Sequence, residues 1–210
     1  MIPLTLAEIR ALELGQLDAT ADVVTGVQID SRRIAAGDLF VALGAGAGFL
    51  DDARSRGAAA TLVPDDEFAA MAALGLAVRE RSDARVIAIT GSTGKTSTKD
   101  ILAALCRPVT RTVAAEEGYN NELGLPLTLM RLEPDTEVLI CEMGMRGLGQ
   151  IAALCEIARP DVGVITNVGP AHLEGLGTLD NVAAAKGELA LALASAATLV
   201  VNGDDPRLVL

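Results

Sequence analysis

The chain's 210 residues are half hydrophobic but only 2% aromatic, enough for one large or two small domains with cores of Ala, Leu, Val and Ile. A formal net charge of -11 argues against general binding to nucleic acid or to anionic membranes, which needs an excess of Lys and Arg to displace counterions. Polyanionic ligands would have to be held by local cations, backbone dipoles and metal.

Taken in order, Thr5 is placed to cap a helix over residues 6–14, closed by Gly15. Strand-like runs follow at 23–29 and 39–43, separated by Asp30-Ser31-Arg32-Arg33 and by the turn signal Gly37-Asp38. A helix over 51–56, a strand over 59–63 ended by Pro64, and a helix over 65–74 complete a small α/β unit. The charged stretch 79–85 reads as a solvated loop or a linker, and it divides the chain into domains 1–82 and 83–210. Beyond it, apolar strands are expected at 86–90, 110–114, 138–142, 162–166 and 198–202, with helices at 96–105, 123–132, 150–158 and 179–193. This alternation predicts an α/β fold with a mostly parallel sheet, covered by helices on both faces. Ligands should gather at the carboxyl ends of its strands.

Cys106, Cys141 and Cys155 form no close pair and no metal-ligand spacing. They read as reduced, buried, small apolar groups of a cytoplasmic protein. The first fifteen residues lack the order of a signal peptide, and the longest apolar stretch, 189–201, is too short to span a membrane.

The stretch with the most chemistry is 85–99, where a β-branched strand runs into Gly91-Ser92-Thr93-Gly94-Lys95-Thr96-Ser97 and then a helical pattern. Gly91 and Gly94 allow a tight turn that brings backbone N–H groups against phosphate oxygens, and the helix N-terminus favours negative charge. Lys95 adds a cation, and the Thr96 hydroxyl is placed to ligate magnesium. The match to the general Walker pattern is incomplete, because Ile89 stands where its first glycine would be, so an ordinary strand-to-helix turn remains a second reading.

Polar residues accumulate where the other strands end. Glu142 follows a fully apolar run and reads either as a magnesium ligand or as a salt-bridged carboxylate at the rim. Thr166 and Asn167 close the next strand, with His172, the chain's single histidine, shortly after; a histidine so placed is either functional or structural. Lys186 lies in an alanine-rich helix and, from the residues alone, reads as solvated. Asn120 and Asn121 are candidates for a turn and a helix cap, and Arg146 either meets an anion or lies on the surface.

These motifs resemble, in order and spacing, those of the Mur ligases: 90–99, Asn120-Asn121-Glu122-Leu123-Gly124-Leu125-Pro126, Glu142-Met143-Gly144, 158–169 with His172, Ala185-Lys186-Gly187-Glu188 and Asn202-Gly203-Asp204-Asp205-Pro206. The loop is also similar to that of their folylpolyglutamate synthase relatives. Upstream, 26–32 and 37–43 are similar to the domain of these ligases that holds the substrate's uridine nucleotide. Among Mur ligases the chain looks most like the branch that adds D-alanyl-D-alanine to a UDP-N-acetylmuramoyl-peptide, with the diaminopimelate- or lysine-adding branches as neighbours. A nucleotide-binding module without catalysis is the reading from a different class.

The resemblance implies a cytoplasmic, ATP-dependent amide ligase of peptidoglycan synthesis, with neither nucleic acid nor membrane as a partner. It implies ATP phosphates on 91–97, Asn120 and Asn121, and two magnesium ions on Thr96, Glu142, His172 and Lys186. Lys95, Glu142, His172 and Lys186 would be the catalytic residues, with Lys186 carboxylated on its side-chain nitrogen. Asp30, Ser31, Arg32, Arg146, Thr166 and Asn167 would bind substrate. After Leu43 such ligases have a longer loop, whereas here the chain runs through Gly44-Ala45-Gly46-Ala47-Gly48. The resemblance also implies that the central domain is incomplete here and that a C-terminal domain is absent.

Overall fold

A computed structural model describes residues 1–171 and 173–208. They group into two compact units, one of Met1–Ser82 with Leu129–Pro134, the other of Asp83–Thr128 with Asp135 onward.

In the first unit, β1 (Leu4–Thr5) leads into α1 (Leu6–Ala11) through a reciprocal cap. Glu8 N–H donates to Thr5 Oγ1 at 3.3 Å while Thr5 N–H donates to Glu8 Oε2 at 2.8 Å. Next come β2 (Gly15–Ala19), β3 (Val23–Val24), β4 (Gly26–Gln28), a 3-10 turn at Ser31–Arg33 and β5 (Asp38–Val41). A second 3-10 turn, Gly44–Phe49, precedes α2 (Leu50–Ser55), β6 (Ala60–Pro64) and α3 (Glu67–Arg79). The main sheet has the order β2-β6-β5-β4, with β2 antiparallel to β6 and the other pairs parallel. Phe40, Ala42, Ala53 and Ala58 form a core under α2.

β1 was not expected and α1 ends at Ala11 rather than at residue 14, and three further elements differ from expectation for local reasons. The single strand expected over 23–29 breaks at Thr25, whose N–H donates to Gly37 O at 2.9 Å. The Asp38 carboxylate fills the space that a side chain at Gly26 would need, and on either side of the break β3 pairs with β1 and β4 with β5. β2 went unforeseen because Leu17 is its one large apolar residue; its ladder to β6 holds it. α3 continues through Gly75 to Arg79, because burial of Leu74, Gly75 and Val78 outweighs the ~1 kcal/mol helical cost of a glycine.

The second unit holds β7 (Arg85–Thr90), α4 (Lys95–Cys106), β8 (Thr112–Ala114), α5 (Gly124–Leu129), β9 (Val138–Glu142), α6 (Gln150–Ala158), β10 (Val162–Ile165), α7 (Leu173–Leu176), α8 (Leu179–Ala192) and β11 (Thr198–Val201). Their strands form one sheet in the order β11-β10-β7-β9-β8, every pair parallel. Pro126 is tolerated in α5 because it falls in the first turn, where backbone N–H groups have no helical acceptor.

Helices cover both faces, as the alternation predicts. On one, Ile89, Ala103, Ala114 and Ile140 pack together under α4. On the other, α8 lies over Gly163, whose missing side chain leaves room for Leu189 and Leu193. α8 is tied to α6 by Glu188, whose carboxylate accepts the N–H groups of Gly149 at 2.6 Å and Ala152 at 3.1 Å. Among the described residues, no helix is long and apolar enough to cross a membrane. Cys141 and Cys155 are buried as expected, whereas Cys106 is half-buried at the end of α4.

Candidate active site

β7 is central in its sheet, so its carboxyl end opens between β9 and β10 rather than at an edge. The turn from β7 into α4 depends on two glycines. Gly91 has φ +149, and a Cβ there would overlap the Thr166 hydroxyl; Gly94 has φ +82 and opens α4. The end of β10 braces this loop from the side. Thr166 Oγ1 donates to Thr93 O at 2.6 Å, Asn167 Nδ2 donates to Thr93 Oγ1 at 2.9 Å, and Asn167 Oδ1 accepts from Thr93 N–H at 3.1 Å. Ser92 Oγ accepts from Gly169 N–H at 2.8 Å. Asp205, beyond β11, fixes the neighbouring Val168 N–H at 2.7 Å. The loop is therefore held from outside, leaving the first N–H groups of α4 available to an anion.

Lys95 reaches back over the loop, its ammonium donating to Gly91 O at 2.9 Å. Glu142, at the end of β9, is buried and gives each carboxylate oxygen one partner: Thr96 Oγ1 donates to Oε2 at 2.9 Å and Asn120 Nδ2 to Oε1 at 2.9 Å. Lys186 is only 2% exposed, which overturns the solvated reading of this helix lysine. Burial, and then the charge of Lys95, lower its pKa to about 8, so the amine is still mostly protonated at pH 7 but yields its proton far more readily than an ordinary lysine.

Three separate sets of contacts thus surround the loop, Lys95 on Gly91, Thr96 and Asn120 on Glu142, and Thr166 and Asn167 on Thr93, with Lys186 close enough to feel the charge of Lys95. Asn121 serves another purpose: its Oδ1 accepts from Leu123 and Gly124 N–H and caps α5. Arg146 is exposed, its N–H donating to Gln150 Oε1, and it joins none of these sets. His172 lies outside the described residues.

The donors suit magnesium. Thr96 and Glu142 offer a hydroxyl and a carboxylate side by side, while the described residues contain no cluster of three His, Cys, Asp or Glu groups that would cage a metal alone. Magnesium typically takes one or two carboxylates and completes its shell with substrate phosphates and water.

Asp30, Ser31 and Arg32 are in the first unit, where they line a cavity of about 810 Å³ with Phe40, Phe49 and Asp52. Asp30 caps the 3-10 turn and grips Arg32 by two oxygens, which holds the Asp30 carboxyl at about 2. The Ser31 hydroxyl and Arg56 both bond Asp52 and lower its pKa. The cavity combines an exposed ring, Phe49, with polar groups already oriented by their neighbours.

A family model described as the Mur ligase middle domain matches residues 89–209. The chain belongs to the Mur ligase family. It is 39% identical to the UDP-N-acetylmuramoyl-tripeptide--D-alanyl-D-alanine ligase of Mycobacterium tuberculosis and 34% identical to that of Escherichia coli K12, covering 98% of this chain and 49% of each relative. In structure it is similar to MurF from Acinetobacter baumannii, with TM-score 0.85, 27% identity, and coverage of 97% of this chain and 49% of that one. It is also similar to MurF ligase from Thermotoga maritima in complex with ADP, with TM-score 0.77, 32% identity, and coverage of 87% and 47%. The chain spans about half the length of the curated relatives it matches.

Within this Mur ligase frame, sequence reasoning assigned no role to three residues of the site. Lys99, one turn beyond Lys95, is buried and donates to Ala115 O at 2.9 Å, anchoring α4 to the segment after β8. Its i, i+4 spacing from Lys95 was the available signal. Glu188 and Asp205 act by capping distant N–H groups, and no local pattern announces such partners.

Proposed function

We propose that this chain forms the nucleotide-binding part of a cytoplasmic Mur ligase that joins D-alanyl-D-alanine to a UDP-N-acetylmuramoyl-tripeptide at the expense of ATP. The observation that carries the reading is the preorganised loop, with Lys95 folded over it and Glu142 held by Thr96 and Asn120. The names of the relatives, and an ADP complex among the similar structures, support the same choice. Residues 1–82 are assigned to the sugar-nucleotide substrate, whose uridine diphosphate would enter the cavity of Ser31, Arg32 and Phe49. Residues 83–210 are assigned to ATP.

In the proposed reaction a substrate carboxylate oxygen attacks the γ-phosphorus, ADP leaves, and an acyl phosphate forms. The dipeptide amine then attacks the acyl carbon and displaces phosphate, losing a proton. The difficulty is the meeting of a carboxylate with a polyphosphate, so catalysis is chiefly placement of positive charge. The amides of 91–97 cradle the phosphates, and Lys95 offsets charge developing on the transferred group. Thr96 and Glu142 are the residues that would hold magnesium, which when bound neutralises phosphate charge. A second ion would draw on His172 and Lys186. For that role Lys186 is assigned as a carbamate: its neutral amine attacks CO2, a nitrogen–carbon bond forms, a proton is released, and a buried cation becomes an anion.

Calorimetric titration of the chain with ATP and magnesium tests the reading directly. Binding lost on Lys95→Ala is expected, and a wild-type chain that takes up no nucleotide overturns it. In a polypeptide of the relatives' length, phosphate release with D-alanyl-D-alanine, diaminopimelate or lysine as amine separates the Mur branches. Release with none of them favours a nucleotide-binding module.

A further inference from the structure

Among the buried side-chain nitrogen and oxygen atoms of the described residues, Thr90 Oγ1 alone has no hydrogen-bond partner. Thr90 is fully buried at the last position of β7, and its own carbonyl is taken by Thr166 N–H at 3.0 Å. Native structures rarely leave such a group unsatisfied without a use for it.

The direction of this hydroxyl follows from the strand. Ile87 and Ile89 pack with Ala103 on the α4 side, so alternation turns Ala88 and Thr90 to the other face. That face belongs to α8: Ala88 is in register with Gly163, which Leu189 and Leu193 cover. α8 connects β10 to the parallel β11, so it runs back against the strand direction. Stepping from Leu189 to Lys186 therefore moves roughly one turn, about 5 Å, toward the carboxyl ends of the strands. Stepping from Ala88 to Thr90 moves about 7 Å the same way. The orphan hydroxyl and the buried amine thus arrive at the same end of the same layer, beside the loop that carries Lys95.

A hydroxyl and an ammonium are both donors, and the group that satisfies both is an oxyanion. We propose that Thr90 is a positioning residue whose hydroxyl donates to an oxyanion held at Lys186, either a carboxylate formed there from CO2 or a terminal phosphate oxygen of the nucleotide. This rests on the reading of the loop as an ATP site.

The test uses the 210-residue chain with Thr90→Val, which keeps the shape and removes the hydroxyl, and Thr90→Ser, which keeps the hydroxyl. Because a methyl replaces an unpaired group, Thr90→Val should melt at the same temperature or up to about 4 °C higher. Carbon-13 NMR with labelled bicarbonate reads one source: a carbamate signal, absent in Lys186→Ala, should weaken in Thr90→Val. Titration with ATP and with ADP, each with magnesium, reads the other: Thr90→Val should lose about tenfold of any preference for ATP. A change in either measurement that Thr90→Ser restores supports the proposal and identifies the source. Wild-type behaviour of Thr90→Val in both overturns it while leaving the ATP reading intact, as does a folded Thr90→Ser that fails like Thr90→Val. Should Thr90→Val not fold, Thr90→Ala takes its place with the same criteria. A wild-type chain that binds no nucleotide sinks the ATP reading and this inference together.

Discussion

The loop of the second unit and the cavity of the first differ in what they are made of. Around Gly91–Ser97 the groups that the proposed reading offers to a ligand are main-chain amides and two lysines, set by a parallel sheet whose strand ends converge. Around Ser31 and Phe49 they are side chains on two 3-10 turns, oriented by ion pairs that are largely solvated. Interactions that build the first kind of site also hold the fold, so function and stability are coupled there. In the second kind they should come apart.

The largest effect is expected at Gly91. A Gly91→Ala chain must relieve both an unfavourable φ and an overlap with Thr166, at a cost of about 4 kcal/mol in denaturant unfolding. Normal stability in that variant would mean that the loop yields, and the contrast between the two sites would weaken.

Next comes Lys186, where the comparison sharpens. Its folded-state pKa of about 8 lies below the usual lysine value of 10.5, so folding buries a charge at low pH and expels a proton only between these two values. The penalty is complete below about pH 8 and vanishes as pH rises through the unfolded value near 10.5. Lys186→Met should accordingly be more stable than wild type at pH 7 by about 3 kcal/mol, with the gap closing toward pH 10.5. Urea midpoints across that range measure it. A stabilised variant that no longer takes up nucleotide with magnesium would show stability being given up for the site.

How far these features were legible follows the same division. That the loop, Glu142, Thr166 and Asn167 lie at neighbouring strand ends was legible because a parallel sheet brings such ends together, and strand ends can be read from apolar runs. The burial of Lys186 could not be read so, because its helix is alanine-rich on all sides and spacing alone does not say which face is covered. Within the first unit, Asp30, Ser31 and Arg32 were singled out through the resemblance, whereas Phe49 and Asp52 were not. Those two reach the cavity from a glycine-rich 3-10 turn and from α2, with no periodicity to mark them.

A smaller effect is expected at Glu188, which serves α6 from α8. Glu188→Ala leaves Gly149 and Ala152 N–H groups without their acceptor, a loss of about 1–2 kcal/mol. Because the same contact fixes the helix that carries Lys186, nucleotide affinity should fall as well, and Glu188→Gln should recover part of both. Intact nucleotide binding in a destabilised Glu188→Ala chain would confine the residue to the fold.

The smallest effect on stability is predicted where the first unit is probed. Arg32 has a side chain 80% exposed and paired with Asp30 at 2.7 Å, and solvated pairs of this kind add little to folding. Arg32→Ala should therefore leave the melting temperature unchanged. Titration with uridine diphosphate should nevertheless show about tenfold weaker binding, since a guanidinium already held by Asp30 is oriented for a phosphate oxygen. Replacing Asp30 by Asn keeps the size and weakens the grip on Arg32, so it should lower the affinity by less than Arg32→Ala does. If instead Arg32→Ala lowers the melting temperature and the affinity together, the cavity is as tightly built into its unit as the loop is into the other. The two sites would then differ only in the groups they present.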